Sequence, residues 1–336
     1  MIIWWVLATV VVASLLMTGA LRRYALNRSL MDIPNARSSH SVPTPRGGGV
    51  AIVVAFLVAL PVLAMLDMLP WQLLWALSGA GFWVAVVGFL DDHGHIAARW
   101  RLLAHFVAAI WALFWLGGLP SIELLGIHVQ LGWVGHVLAA LYLVWLLNLY
   151  NFMDGIDGIA SVEAISVGLG GAFLYWYLGY GSLAVVPALL AVAVAGFLYW
   201  NFPPARIFMG DAGSGFLGVS LGILSLHAGW VAPQLLWCWI IMLGVFIVDA
   251  TWTLIRRLLR GDKVYEAHRS HAYQFASRQY GRHLPVTLAV TAINLFWLFP
   301  IAALVGNRVV SGPLGLIVAY LPLLILAVKF RAGHKE

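Results

Sequence analysis

Eleven stretches of mostly apolar residues, most about the length of a membrane span, punctuate this chain, and they constrain the fold more than any other feature. They run over 2–21, 48–66, 72–90, 102–119, 133–150, 159–178, 183–200, 213–228, 234–255, 285–305 and 313–330. A helix crossing the hydrocarbon core of a bilayer needs about 20 such residues. Barrel strands would alternate apolar and polar residues, whereas Val50 to Leu66 is apolar throughout. The expected fold is all-α: a polytopic transmembrane helix bundle of about eleven spans, with ten as the alternative count, forming one integral membrane domain over 1–336. Charged residues make up only 10% of the 336 and hydrophobic ones 62%. Soluble domains carry about 25% charge, so a soluble enzyme and a disordered chain are both excluded. The single cysteine, Cys238, excludes a disulfide scaffold.

The net charge of +6 does not indicate nucleic-acid binding, because the basic residues are spread over short loops. Of the 19 Lys and Arg, 18 fall in the odd-numbered loops and the C-terminal tail, and only Arg308 falls on the other side. The inside-positive bias then predicts an outside N-terminus and a cytoplasmic C-terminus. The first apolar segment has no basic residue before it and Arg22-Arg23 after it, the wrong polarity for a cleaved signal peptide. Tryptophans near span ends (Trp4, Trp5, Trp71, Trp230, Trp252) read as an interfacial belt. The longest outward piece, 120–132, has room for a small hairpin.

The same odd loops, at 22–47, 91–101, 151–158, 201–214 and 256–284, carry nearly all the polar chemistry. Asp91 and Asp92 end the third span in Gly88-Phe-Leu-Asp-Asp-His-Gly-His95. Asp154 and Asp157 follow the fifth in Asn148-Leu-Tyr-Asn-Phe-Met-Asp-Gly-Ile-Asp-Gly158. Asp211 follows the seventh in Phe208-Met-Gly-Asp-Ala-Gly-Ser214. Carboxylates at a membrane edge are costly unless paired, hydrated or bound to metal, and no matching set of cations stands beside these in the sequence. Oxygen-only ligands suit Mg²⁺, for which Mn²⁺ can substitute; Cys/His zinc spacing is absent. Glycines 155, 158, 210, 213 and 215 would let backbone approach an anion. Asn148, Asn151 and Asp154 step by three along a helix, while Asp157 lies beyond its end.

The first loop adds Arg37-Ser-Ser-His40 and Thr44-Pro-Arg-Gly-Gly-Gly49, a guanidinium beside glycines that suits a phosphate. The ninth contains His268-Arg-Ser-His271, whose histidines could bind metal, accept a proton or hold a phosphate. His105, His128, His136 and His227 stand alone near span ends and read as unremarkable. Asp249, inside a span, reads as structural, with Thr253 and Arg256 as its nearest helix partners. Together these pieces suggest phosphoryl chemistry between a lipid and a soluble partner, driven by positioning and charge neutralisation.

The motifs His40-Ser-Val-Pro-Thr-Pro-Arg-Gly-Gly-Gly49, Gly88 to Asp92, Asn148 to Gly158, Asn201-Phe-Pro-Pro-Ala-Arg-Ile-Phe-Met-Gly-Asp-Ala-Gly-Ser214 and the ninth-loop histidines resemble, in order, those of the polyprenyl-phosphate N-acetylhexosamine-1-phosphate transferases. The resemblance spans about residues 30 to 275. It implies transfer of N-acetylhexosamine 1-phosphate from a UDP-N-acetylhexosamine to undecaprenyl phosphate, with release of UMP, at the cytoplasmic face of a bacterial inner membrane. It also implies roles. Asp211 resembles the main Mg²⁺ ligand, joined by Asp91 and Asp154. Asp91 and Asp92 resemble acids that assist the lipid phosphate, and Asn151, Asp154 and Asp157 nucleotide- and metal-site residues. Phe208 resembles the aromatic that meets uracil, with Asn201 in the matching polar position. His40 and Arg46 resemble diphosphate contacts, and Arg101 a cation for the lipid phosphate. His268 and His271 would face the diphosphate or sugar, with His271 counted in the catalytic set. Many members read Asp-Asp-x-x-Asp where this chain ends in His95, and their ninth loops are often richer in histidine. These departures and the eleven-span pattern favour the O-antigen-initiating branch over the muramoyl-pentapeptide branch. A homodimer is compatible with this reading.

Three rival readings use similar residues. An intramembrane prenyltransferase spaces Asn and Asp differently and lacks Phe-Met-Gly-Asp. A CDP-alcohol phosphotransferase needs Ala-Arg shortly after Asp-Gly, where this chain reads Ile-Ala-Ser-Val. A transporter would place its acids near the bilayer midplane.

Overall fold

A computed structural model of the chain describes all residues except 35–38, 95, 125, 264–267 and 336. All eleven apolar segments are helical. They form α1 (Ile2–Asn27), α2 (Val50–Met65), α3 (Trp71–His93), α4 (Ala98–Leu116), α5 (Gly132–Met153), α6 (Ile159–Tyr177), α7 (Val185–Asn201), α8 (Asp211–Val231), α9 (Pro233–Met242), α10 (Gly244–Leu259), α12 (Leu284–Ile293), α13 (Phe299–Gly306) and α14 (Gly312–Lys329). Between α10 and α12 lies the short α11 (Ala272–Tyr280). A π-helical turn, Asn294–Leu298, joins α12 to α13 within one span.

Nine of these helical segments are long and apolar enough to cross a membrane. The pair α9–α10, bent by 70° at Leu243, makes a tenth if its two halves are counted as one span. The remaining segment, α2, has only 16 residues. The chain is thus an all-α polytopic bundle, with nine to ten candidate crossings and one short helix among the described residues, where the sequence suggested about eleven, or ten. Among the described residues, strand pairing is confined to two small hairpins: β1 (Met31–Asp32) with β2 (Thr44–Pro45), and β3 (Ile122–Leu124) with β4 (Ile127–Val129). The second is the hairpin expected over 120–132.

At the centre stands α8, buried along almost its whole length and packed between α3 and α5. Its small residues allow that crowding. A Cβ on Gly218 would lie 2.7 Å from the Leu147 Cα in α5. Apolar packing of this kind, rather than a hydrophobic drive, holds helices together in lipid. By contrast α1, α4 and α14 keep most of their surface outward, and Trp4, Trp5 and Trp71 are exposed as an interfacial belt requires.

One end of the bundle carries the polar loops, and local sequence explains where each helix stops there. Gly94 ends α3 in extended backbone, after which the Ile96 amide donates to Asp91 at 2.8 Å. Asp154 closes α5, and Gly158, at φ +75°, makes the turn into α6. Pro203 and Pro204 prevent α7 from continuing. Gly210 then turns the chain into α8, whose first residue, Asp211, sits where the helix dipole favours a negative charge.

Candidate active site

The carboxylates of the three motif loops converge at that end of the bundle. A cavity of about 380 Å³ is lined by Asp92, Asn151, Asp154, Asp157, Asn201, Phe208, Asp211, His40 and Arg46. A second cavity, of about 170 Å³, opens beside it between α3, α4 and α5. This one is lined by Asp91, Arg101, His105 and Asn148 among apolar residues, and its rim includes Leu102 and Phe152, both exposed. Asn151 and Asp211 belong to both linings. The Asn151 Nδ2 donates to Asp211 Oδ1 at 2.9 Å and to Ser214 at 3.0 Å. This pair forms the wall between the two spaces.

Adjacent Asp91 and Asp92 serve different cavities. Asp91 turns to Arg101, with which it is ion-paired, and lines the second cavity. Asp92 is buried, lines the first, and lies 3.9 Å from the Arg46 guanidinium, which also donates to its backbone carbonyl. Arg101 approaches Asp211 as well, at 3.5 Å. The acids therefore do have cations beside them, contrary to the sequence expectation. Arg46 arrives from 46 residues upstream and Arg101 from the next helix, separations at which sequence adjacency carries no information.

Asp154 differs from its neighbours. Among the described residues its side chain has no hydrogen-bond or ion-pair partner, although it lines the main cavity. Burial pushes its carboxyl well above the usual range, and the charges of Asp211, Asp92 and Asp157 push it further. Such a site attracts a cation. Among the described residues no three Asp, Glu, His or Cys side chains form a ready-made metal cage. The donors instead fit a hard ion held by Asp154 and Asp211 and completed by water and phosphate oxygens, the usual coordination of Mg²⁺. Asp91, also expected as a ligand, is turned to Arg101.

The other wall of the cavity is built by backbone pairing. Phe208 N donates to the Pro45 carbonyl at 2.8 Å, and the Gly48 and Gly49 amides donate to Phe208 and Met209 at 3.0 and 2.9 Å. This pairing sets Arg46 beside Phe208, whose ring meets His40 edge-on at 4.8 Å between centroids. Of the glycines expected near an anion, Gly155 and Gly210 line the cavity, while Gly213, like Gly88, is held by close backbone packing. A Cβ on Gly88 would lie 2.5 Å from the backbone of Asp211 and Ala212. One on Gly213 would lie 2.6 Å from Gly49.

Several expected residues are occupied by structural work. Asn201 is buried, accepting from the Gly158 amide and donating to the Ile207 carbonyl, both at 3.0 Å. Asp157 accepts from Ala205 N at 3.0 Å and lies 3.1 Å from the His283 ring. His268 and His271, expected at the diphosphate or sugar, are not among the residues lining this cavity. His271 is buried against Asp249 at 3.3 Å, and His268 stacks on it while its Nδ1 meets the Ser270 hydroxyl. Burial, His271 and Arg257 lower the His268 pKa to about 3. Asp249 accepts from the Ala272 and Tyr273 amides at 2.9 and 3.0 Å, as well as from Thr253. It is structural as expected, but its work is to hold the start of α11; Arg256 is turned instead to Ala332. Arg37 and His95 lie outside the described residues.

Among the cavity residues that escaped the sequence reading are Asp32, His283, Gln274 and, in the second cavity, His105. His105 sits one helical turn after Arg101, and its Nδ1 lies 3.3 Å from Asn148. That spacing from a site cation was the available signal.

Residues 74–229, which include α5 and most of α3 and α8, match the model of a known family, glycosyl transferase family 4. A probable undecaprenyl-phosphate N-acetylglucosaminyl 1-phosphate transferase of Bacillus subtilis is 32% identical over 302 residues, covering 87% of this chain and 81% of its own. The chain belongs to glycosyl transferase family 4. Two further relatives of this family-4 chain have related activities in their names. A phospho-N-acetylmuramoyl-pentapeptide-transferase of Moorella thermoacetica is 36% identical over 54% of this chain and 61% of its own. A decaprenyl-phosphate N-acetylglucosaminephosphotransferase of Mycolicibacterium smegmatis is 29% identical over 75% and 71%. Membership of family 4 makes the chain a phospho-sugar transferase in a membrane bundle, with its motif acids gathered at one end.

Proposed function

We propose that this chain transfers N-acetylhexosamine 1-phosphate from a UDP-sugar to undecaprenyl phosphate, releasing UMP. The observation that carries this reading is the Asn151–Asp211 wall between a polar cavity and one rimmed by exposed apolar side chains. A soluble nucleotide suits the first space, and a lipid phosphate entering from the bilayer suits the second. The names of the relatives support the same pairing of polyprenyl phosphate with a phosphosugar.

In this scheme an oxygen of the lipid phosphate attacks the sugar-bearing phosphorus. The bond from that phosphorus to the bridging oxygen breaks, and UMP leaves with the electron pair. Arg101, between Asp91 and Asp211, holds the lipid phosphate beside the wall. Arg46 and His40 hold the diphosphate, and Phe208 provides a face for the base. Asp92 and Asp154 line the diphosphate end, where a bound cation would relieve the repulsion between their buried carboxyls. Bound Mg²⁺ on Asp154 and Asp211 would supply charge neutralisation at the transferred phosphoryl group. Catalysis is then mostly positioning and electrostatics.

The inside-positive charge bias supports a bacterial inner-membrane setting with this end of the bundle in the cytoplasm. The product is of the type that starts O-antigen or a related envelope glycan. Purified protein given undecaprenyl phosphate, Mg²⁺ and a panel of labelled UDP-N-acetylhexosamines is expected to form a solvent-extractable sugar lipid with one of them. If none labels the lipid, the proposal fails.

A further inference from the structure

His283 precedes α12 in a loop that the sequence presents only as a run of positive charge. Its ring is half-buried and makes two polar contacts to different parts of the chain. Nδ1 lies 3.1 Å from Asp157 Oδ1, and Nε2 lies 3.0 Å from the Ser39 carbonyl. Both partners are acceptors. A neutral imidazole can donate from one nitrogen only, whereas the imidazolium donates from both. The Asp157 amide also points at Nδ1, but at 3.4 Å, the longer contact. Burial would lower the His283 pKa, yet the Asp157 hydrogen bond and charge, with the Ser39 carbonyl, leave it raised.

What this bridge connects gives it meaning. Asp157 is already fixed on two other sides: Ala205 N donates to its Oδ2, and Thr287 of α12 donates to its carbonyl at 2.8 Å. Ser39 directly precedes His40, which meets Phe208 edge-on and whose Nε2 lies 3.3 Å from the Asp32 carbonyl. His283 also lies where the main cavity meets a neighbouring one of about 550 Å³, and Ser39, His40, Asp157 and Phe208 line both. The bridge therefore ties the first loop, beside the aromatic wall, to Asp157 at the turn into α6.

We infer that His283 is a positioning residue for the donor nucleotide, latching the first loop to Asp157 so that His40 and Phe208 keep a formed wall. This rests on the proposed function, since the wall is assigned there to the base. The latch uses no group in contact with the lipid phosphate. Its loss should therefore weaken the UDP-sugar and spare the acceptor.

Two measurements on the full-length protein in detergent test the inference separately. First, a spin label at Val42, which is exposed, reports first-loop motion in wild type, His283→Ala and His283→Gln. Second, UMP affinity and the two KM values are measured on the same proteins. The expected result is a more mobile label, UMP affinity and UDP-sugar KM each weakened about tenfold in His283→Ala, and an unchanged polyprenyl-phosphate KM. His283→Gln, which keeps one donor, should fall between and guards against a poorly folded alanine variant. An unchanged label overturns the latch. A mobile label with unchanged UMP affinity, or equal loss for both substrates, overturns the positioning role. If wild type binds no UMP at all, the nucleotide assignment falls with the functional reading, while the label still decides the latch.

Discussion

The Asn151 amide and the Asp211 carboxylate, 2.9 Å apart, join the end of α5 to the start of α8. They do so at the one place where both cavities share a wall. A charge at Asp211 can therefore act on groups arriving from either side. Asp211→Asn keeps the side-chain volume and removes that charge. Turnover should fall by about 10²–10³-fold or more, in keeping with loss of one preorganised electrostatic contact, while the thermal midpoint stays close to wild type. Near-normal turnover would remove Asp211 from the site.

The division of labour between Asp91 and Asp92 is measurable. Asp91 faces Arg101 in the cavity rimmed by apolar side chains, so Asp91→Asn and His105→Leu should chiefly raise the KM for polyprenyl phosphate. Asp92 faces the main cavity beside Arg46, so Asp92→Asn should chiefly lower kcat. Steady-state kinetics with each substrate varied separates the two. Identical profiles would contradict the two-cavity arrangement.

Asp249 offers a stability test. It is buried and accepts from two backbone amides at the start of α11. Asp249→Ala leaves those buried donors without a partner, at about 1–3 kcal/mol each. A clear drop in thermal midpoint should accompany loss of activity, because α11 also presents Gln274 to the cavity. Asp249→Asn, which retains an acceptor, should be milder. An alanine variant as stable as wild type would contradict the capping role.

Much of this site was legible because charge is scarce. In a chain this apolar, Asp92, Asp154 and Asp211 stand out at helix ends, and Phe208, Arg46 and His40 lie in motifs beside glycine or proline. Residues 268 and 271 show the limit of that reasoning. Spacing marks two histidines as a pair, but cannot reveal that Asp249, from a preceding helix, turns one of them away from the cavity. His283 was hidden for the opposite reason, as one more residue in a basic loop. For the fold, hydropathy located every apolar helix and passed over the polar α11. It could not register the 70° bend at Leu243, since the apolar run from Leu235 to Val248 passes through it unbroken, or see that α2 is too short to match its neighbours.

The His283 bridge predicts a pH dependence. The charged and titratable groups around it are Asp157, His40 and, in the adjoining cavity, Arg278 and Arg282. Because the folded pKa is raised, the stabilisation is complete below the unfolded value of about 6.5. It is lost as pH rises through the folded value. UMP affinity should accordingly decline on the alkaline side, and that decline should be absent in His283→Gln. A profile shared by both proteins would show that another group is titrating.

The central claim concerns which bond breaks, and a phosphorus label reads it directly. UDP-N-acetylhexosamine carrying ³²P in the sugar-linked phosphate is incubated with purified protein, undecaprenyl phosphate and Mg²⁺. Cleavage between the two phosphates predicts label in the extracted lipid and unlabelled UMP in the water phase. Label remaining in water as UDP, with only the sugar on the lipid, would contradict the account.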